Sequence, residues 1–403
     1  MLVHNGCRAS RQDLVPRARY DETHIPVKRY GPKRSHQSDF AWSGCVRGDG
    51  VIISSPGKVI LFGEYAVLEG GPALVVAISR HAKCSVSENT QLIIDTNGFG
   101  TLKREKDGTI HGAALPFVRA LLECHGQARG HFELNSAALS ALDGVGDHAK
   151  LGLGGSAATT VALATAFKML DSPSRQISSA ERVSIFKRAQ NVHRRVQGLG
   201  SGADIAASAF GGVFQYSWQE GLTKAAPDTA NIKTDFGYSR ILPLDVTWKH
   251  LHFVWTKQSA HTPTLVRSVF NFARSEPHKY AALIKHIDEA SRQGIRAWNS
   301  EDPESLTSAI NEGGKVLKAL GRGVGVTLWT EAHERLSGLA TTRGGALKPT
   351  GAGGGDLAWV HFTDQDALVD FKAAAQDEGF FTLTLDIDEE GVTQEAAADS
   401  GAQ

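Results

Sequence analysis

The chain has 403 residues, with 43 Lys and Arg balanced by 43 Asp and Glu, so its formal net charge is zero. That length allows two domains with substantial cores, and the charge balance leaves no global field to draw in nucleic acid or an acidic membrane. Neither is expected as a partner, and an anionic ligand must be caught by local cations. Cys7, Cys45, Cys84 and Cys124 form no C-x-x-C pair and no metal spacing, which reads as reduced thiols in a cytoplasmic protein. The sixteen histidines include no H-E-x-x-H pair, so no structural zinc is expected. No apolar run approaches the ~18 residues of a membrane-spanning helix.

In chain order, residues 1–47 carry nine Lys or Arg against four Asp or Glu, with few aliphatics and no sustained period. They read as a disordered N-terminal extension, either a basic arm or sequence upstream of the folded region, and lack the apolar core of a secretory signal. Val51–Ser54, Lys58–Phe62, Ala73–Ile78 and Lys83–Val86 read as strands rich in branched residues. His111–Cys124 has helical spacing, with Leu115, Val118, Leu121 and Leu122 on one face. Helices are predicted at Ala157–Leu170 and Ser179–Val196, the second opened by a capping box of Ser178 and Glu181. Residues 217–240 mix Gly, Pro, Asp, Asn and Thr without period and suggest a domain boundary or a surface excursion. Beyond them the pattern is a strand at Leu251–Trp255, helices at Thr264–Ala273, Pro277–Gln293, Pro303–Leu320 and Thr327–Leu339, then strands at Leu357–Phe362 and Phe381–Leu385. That alternation suits an α+β fold. The acidic, small-residue-rich end, Asp386–Gln403, reads mostly as a disordered tail.

The most informative run is KLGLGGSAATT, Lys150–Thr160, a glycine-rich loop opening into an apolar helix pattern. Gly152, Gly154 and Gly155 let a ligand approach the main chain, and the unpaired N–H groups at the helix start face it. A polyphosphate suits such a site, and the Ser156 hydroxyl stands where a phosphate oxygen or Mg²⁺ would lie. Taken alone, the loop equally fits mere packing of a helix on a sheet. Three further segments accompany it: Ser54–Ile78, with Lys58; His193–Tyr216, with Asp204; and Lys348–Phe362, whose Gly351, Gly353, Gly354 and Gly355 make a tight turn that brings backbone close to another domain or to substrate.

These segments, in this order and spacing over roughly Val51–Asp386, resemble the GHMP kinases, which include galactokinase, homoserine kinase, mevalonate kinase and phosphomevalonate kinase. The resemblance implies a two-domain fold: a ribosomal-protein-like N-terminal α/β domain at 48–235 that binds ATP, and a ferredoxin-like C-terminal domain at 245–388, with a disordered acidic tail at 389–403 and the site between the two domains. It implies that Gly152, Leu153, Gly154, Gly155, Ser156 and Ala157 hold ATP, with Ser156 toward Mg²⁺, and that Asp204 is the general base with Lys58 beside it. Within the family, the details resemble phosphomevalonate kinase. Tyr65 stands where mevalonate kinases have histidine, and His193 stands where they have a metal-binding glutamate. Val254–Val266 resembles a substrate-approaching stretch in which Thr262 matches and His261 replaces serine. Gly155 replaces the first of two serines.

The acceptor is accordingly expected among Lys58, Tyr65, Lys150, His193, Arg194, Ser201, Gly202, Thr262, Gly353 and Gly354. Lys150, Arg194 and Arg195 are candidates for its phosphate, and Lys348 for a further phosphate contact. The expected activity is ATP-dependent conversion of phosphomevalonate to diphosphomevalonate, by a monomer or homodimer. Alternatives are mevalonate kinase, another GHMP small-molecule kinase, or a non-catalytic ligand sensor on the same fold.

Overall fold

A computed structural model describes residues 51–396, apart from 98, 106, 113, 124–128, 141, 143–149, 172–175, 199 and 221–230. The expectation for residues 1–47 lies outside the described residues. The architecture is α+β, built on two sheets. The first strand, β1 (Val51–Phe62), runs unbroken through the two short strands expected from sequence, and β2 (Ala73–Ser87) likewise joins two. The join in β1 is made by a register shift between Pro56 and Gly57, where the proline has no N–H to give the ladder. Between the two strands lies a 3-10 turn, Ala66–Glu69.

Next come β3 (Leu92–Thr96), β4 (Gly100–Arg104), β5 (Ile110–Gly112), α1 (Pro116–Glu123) and β6 (Gly130–Asn135). The helix expected from His111 therefore begins five residues later, its first positions being taken by β5. The helices α2 (Gly155–Asp171), α3 (Ser179–Gln197) and α4 (Ala203–Phe210) follow. Both halves of the capping box form at α3: Ser178 Oγ accepts from Glu181 N–H at 3.3 Å, and Glu181 Oε2 accepts from Ser178 N–H at 2.9 Å.

Strands β7 (Val213–Glu220), β8 (Asn231–Lys233) and β9 (Gly237–Leu244) take the two ends of the stretch expected as a boundary or surface excursion, whose residues 221–230 lie outside the described residues. The strand at its far end has a simple cause. Gly237 approaches the Gln219 carbonyl so closely that a Cβ would stand 2.1 Å from it, so the glycine that reads as a loop marker is instead a strand contact.

The second half comprises β10 (His250–Trp255), α5 (Thr262–Ser275), α6 (Pro277–Asn299), α7 (Pro303–Val324), α8 (Glu331–Thr341), β11 (Ala346–Pro349), β12 (Leu357–His361), α9 (Gln365–Asp377), β13 (Phe381–Asp386) and β14 (Thr393–Ala396). Antiparallel β11, β12, β10 and β13 form the four-stranded sheet. The last strand, β14, leaves it and pairs antiparallel with β1, Val51 opposite Ala396. Part of the expected disordered tail is thus a strand of the first sheet: Asp388 turns the chain back, its N–H donating to Ala77 O at 3.0 Å. Residues 397–403 lie outside the described residues.

The alternation of β2 explains the layering. Its Ala73, Val75 and Ala77 face a core shared with α2, α3 and α4, whereas Leu74, Val76 and Ile78 face a second core with Phe253, Trp298, Trp359 and Leu383. An apolar run buried on both faces is therefore the seam between the two sheets, and each large side chain so buried contributes about 1.5–3 kcal/mol. Among the described residues, no helix is long and apolar enough to cross a membrane.

Candidate active site

The register shift at Pro56/Gly57 has a local consequence: the Lys58 N–H turns to the Leu153 carbonyl, 2.9 Å away, and so fastens the glycine loop to β1. Gly57 must be glycine here, because a Cβ would stand 2.6 Å from that carbonyl oxygen. The Lys58 stem then runs beneath the loop. A Cβ on Gly154, whose φ is +79°, would lie 3.0 Å from Lys58 Cγ, and the Lys58 ammonium donates to the Gly152 carbonyl at 3.2 Å. Gly155 has no such constraint; it opens α2 with nothing closer than 3.9 Å to a Cβ. Leu153 and Ala157 are buried anchors, and Ser156 sits in the first turn of α2.

Asp204 lies in the first turn of α4, where the free N–H ends favour a carboxylate. Its Oδ2 is 3.6 Å from the Lys58 ammonium, and its side chain remains about a third exposed at 35%. Gly202 supplies the left-handed cap that opens α4, with φ +86°, and packs on Gln190, whose amide donates to Ser201 O at 3.2 Å. Tyr216 hydroxyl donates to the same carbonyl at 2.6 Å. Ser201 and Gly202 thus shape the loop before Asp204 from a buried network.

His193 Nε2 lies 3.4 Å from Ser156 Oγ, and its ring stacks on Phe117 at 4.5 Å. Burial pushes the His193 imidazole down from its usual pKa, and the Asp204 charge pulls it back up. The Ser156 hydroxyl beside this imidazole offers an oxygen on this side of the loop. One protein oxygen fits Mg²⁺, which keeps several waters and binds substrate phosphates.

The remaining expected residues divide. Lys150 donates to the Ala260 carbonyl, so it joins the glycine loop to the segment before α5. Thr262, exposed, is the first residue of α5, and the preceding His261 pairs through its ring with the Thr264 hydroxyl at 2.7 Å. Tyr65 is buried, with its hydroxyl donating to Ala352 O at 2.7 Å in the β11–β12 turn. That turn fulfils the close approach read from its glycines: Gly351 N–H donates to Ile60 O at 3.2 Å, and Gly354 N–H to Leu328 O at 2.8 Å. A Cβ on Gly353 would be 2.6 Å from the Leu328 oxygen.

Arg194 points away from its neighbour His193. Its guanidinium donates to Gly200 O at 2.6 Å and Glu220 at 2.8 Å and lies 4.3 Å over Trp218, while Arg195 pairs with Asp235 at 3.4 Å. Lys348 corrects its expectation outright. It is fully buried, bonded to Leu61 O and Pro349 O at 2.8 Å each and to Glu64 Oε1, and has no proton left for a ligand.

Two features escaped sequence reasoning. One is a cleft of about 540 Å³ lined by Arg194, Gly200, Trp218, Glu69 and, from one face of α5, Arg267 and Arg274. It does not include Lys58 or Asp204, but at Gly200 it borders the loop that leads into α4 and Asp204. Only the seven-residue spacing of the two arginines signalled it. The other is Asp356, the single acid following the Gly353–Gly355 run.

Residues 116–212 match the family GHMP kinases N terminal domain. Over 365 residues the chain is 28% identical to the phosphomevalonate kinase of Streptomyces sp. (strain CL190), covering 81% of this chain and 93% of the relative. It is 26% identical over 374 residues to the mevalonate kinase of Schizosaccharomyces pombe, covering 80% and 85%. The solved Streptococcus pneumoniae phosphomevalonate kinase in complex with phosphomevalonate and AMPPNP has the same fold, with a TM-score of 0.63 at 19% identity over 86% of this chain and 99% of that one. With the four motif segments in order and both sheets in place, the chain is similar to GHMP kinases along most of its length, and residues 116–212 match the N-terminal domain of that family.

Proposed function

We propose that this chain transfers the γ-phosphoryl group of ATP to phosphomevalonate, giving diphosphomevalonate and ADP. The observation that carries the reading is the meeting of Lys58, Asp204 and the glycine loop: one ammonium 3.6 Å from Asp204 and 3.2 Å from the Gly152 carbonyl. The relatives' names support the substrate class, and the complex of the S. pneumoniae enzyme with AMPPNP supports ATP as donor.

The chemistry follows from the residues. The N–H groups at the start of α2 hold the phosphate chain of ATP, and Mg²⁺, when bound against Ser156, neutralises charge on the phosphates. An oxygen of the acceptor's phosphate attacks the γ-phosphorus in line, and the bond to the β–γ bridging oxygen breaks as ADP leaves. Asp204 accepts the acceptor's proton where it carries one. Lys58 offsets the charge gathering on the transferred group. Arg267 and Arg274, with Arg194, provide fork-shaped cations suited to the carboxylate at the acceptor's far end. A sensor that only binds needs no carboxylate set against an ammonium at the phosphate loop.

The deciding measurement is kcat/KM for phosphomevalonate against mevalonate with ATP and Mg²⁺. A site built to pair a phosphate is left with unpaired cations when it is missing, so mevalonate should be poorer by on the order of 10³-fold. Equal or better use of mevalonate overturns the choice in favour of mevalonate kinase. Turnover of neither, with nucleotide still bound, points to another acceptor or to the sensor.

A further inference from the structure

Asp356 ends the glycine turn between β11 and β12 in a conformation that few side chains adopt, with φ +55°. Its main chain is fixed on both sides. The N–H donates to Gln258 O at 2.7 Å, and the carbonyl accepts from Thr256 N–H at 3.0 Å and from Thr256 Oγ1 at 2.9 Å. The side chain is 7% exposed and aimed under the phosphate loop. Oδ1 accepts from Ala260 N–H at 3.0 Å, while a Cβ on Gly152 would stand 2.7 Å from Oδ2. Ala260 also receives the Lys150 ammonium, and Gly152 also receives that of Lys58. The carboxylate therefore sits between the Ala260 and Gly152 main chains, each of which also accepts a hydrogen bond from a lysine ammonium. Burial raises its pKa, and the Ala260 hydrogen bond and then the charges of Lys150 and Lys58 oppose that rise.

We propose that Asp356 is a positioning residue whose negative charge, set beneath Gly152, holds the Lys58 and Lys150 ammonium groups and the glycine loop in the arrangement needed for phosphoryl transfer. The proposal rests on the kinase reading above. The hydrogen bond from Ala260 does not require a charge, since an asparagine oxygen accepts it equally. What the charge adds is its action on the two lysines. Without it, Lys58 is left to the Asp204 carboxylate alone and is drawn toward the group it must leave free to act as base.

The test compares Asp356→Asn with the wild-type chain. Wild-type turnover of phosphomevalonate judges the kinase reading by itself, so the proposal is judged only on the ratio to wild type. Asp356→Asn should lower kcat by about 10-fold or more while ADP affinity, measured by calorimetry, stays within about 3-fold. A readout independent of any acceptor is the rate at which an amine-reactive acylating reagent labels Lys58, followed by peptide mass spectrometry. Loss of the nearby charge should raise it several-fold. Unchanged kcat, or unchanged Lys58 labelling, overturns the proposal. Should Asp356→Asn melt too low to assay, the double variant with Lys58→Met decides: melting recovers if Asp356 acts on Lys58, and falls further by the additive amount if it does not.

Discussion

Lys58 and Lys348 both belong to glycine-bearing segments, and both face a carboxylate near the seam between the two sheets. Lys348 has an acceptor for each of its three protons, is closed off from water, and lies 5.4 Å from the Phe62 ring centroid. Gly313 of α7 makes room for its stem, since a Cβ there would be 3.2 Å from Lys348 Cε. Lys58 has one carbonyl at 3.2 Å and a carboxylate standing off at 3.6 Å, with Asp204 open to solvent on one side. A saturated ammonium holds the fold together, whereas an ammonium with a proton to spare can receive a developing negative charge. Residue type and a neighbouring carboxylate do not separate the two cases; the count of satisfied donors does.

The sharpest way to break this comparison is Lys348→Met. It leaves Glu64 buried without its cation, and burial already pushes that carboxyl upward against the pull of Lys348. A loss of about 3–5 kcal/mol in unfolding free energy is expected from denaturant titration; a loss under about 1 kcal/mol removes Lys348 from the structural side. Asp204→Asn should do the reverse. Turnover should fall about 10²-fold or more, roughly 2.7 kcal/mol in the barrier, with melting unchanged and nucleotide affinity within a few-fold. Near-normal turnover takes Asp204 out of the mechanism.

A smaller effect probes the surroundings of Lys348. Burial, and then the Lys348 charge, hold His333 down to about 3, whereas in the unfolded chain it titrates near 6.5. Between those values the unfolded state binds the extra proton, so stability falls as pH drops through about 6.5 toward 3, by up to about 1.4 kcal/mol per unit for this residue. His333→Gln keeps a side chain able to complete the capping box with Thr330. It should flatten the fall in melting temperature with acidity, though His252, held down to about 4 chiefly by burial, leaves a residual slope. An unchanged acid slope contradicts the assignment.

The smallest effect separates two adjacent glycines on the Lys58 side. Gly155→Ala should stabilise by about 0.5–1 kcal/mol, since the position is open and helical. Gly154→Ala should destabilise, because its φ is +79° and Lys58 lies in the way. Equal shifts in melting temperature for the two variants would mean that Lys58 does not run beneath the loop.

What the sequence made legible was local. The glycine loop with α2, and the Ser178–Glu181 box with α3, are written within a few residues of themselves. Lys58 and Asp204 came from a family resemblance carried by whole segments, and the structure brings them together. Lys348 was misread because its partner Glu64 lies 284 positions away, and a buried lysine looks like any other lysine in a string of letters. Arg194 was read together with its neighbour His193, yet adjacent helical residues point about 100° apart, and its contacts, Trp218 and Glu220, lie beyond α4 on β7. The strands β3, β4 and β5 are short, and β14 carries too few apolar residues to announce itself. Such strands exist by pairing with distant partners, and pairing leaves little mark on a single sequence.

The return of β14 to β1 bears on the order in which the molecule assembles. Along Val51–Ser54, β1 is flanked on one side by β2 and on the other by β14. During synthesis, the strand bearing Lys58 is therefore made more than 300 residues before β14, and its outer edge along Val51–Ser54 stays bare until the ribosome has passed residue 396. A bare edge is a template for stray pairing, and contacts of such long sequence separation are slow to form. A chain with its glycine loop already made would thus keep an open edge on β1 until β14 arrives to seal the sheet on which that loop is mounted.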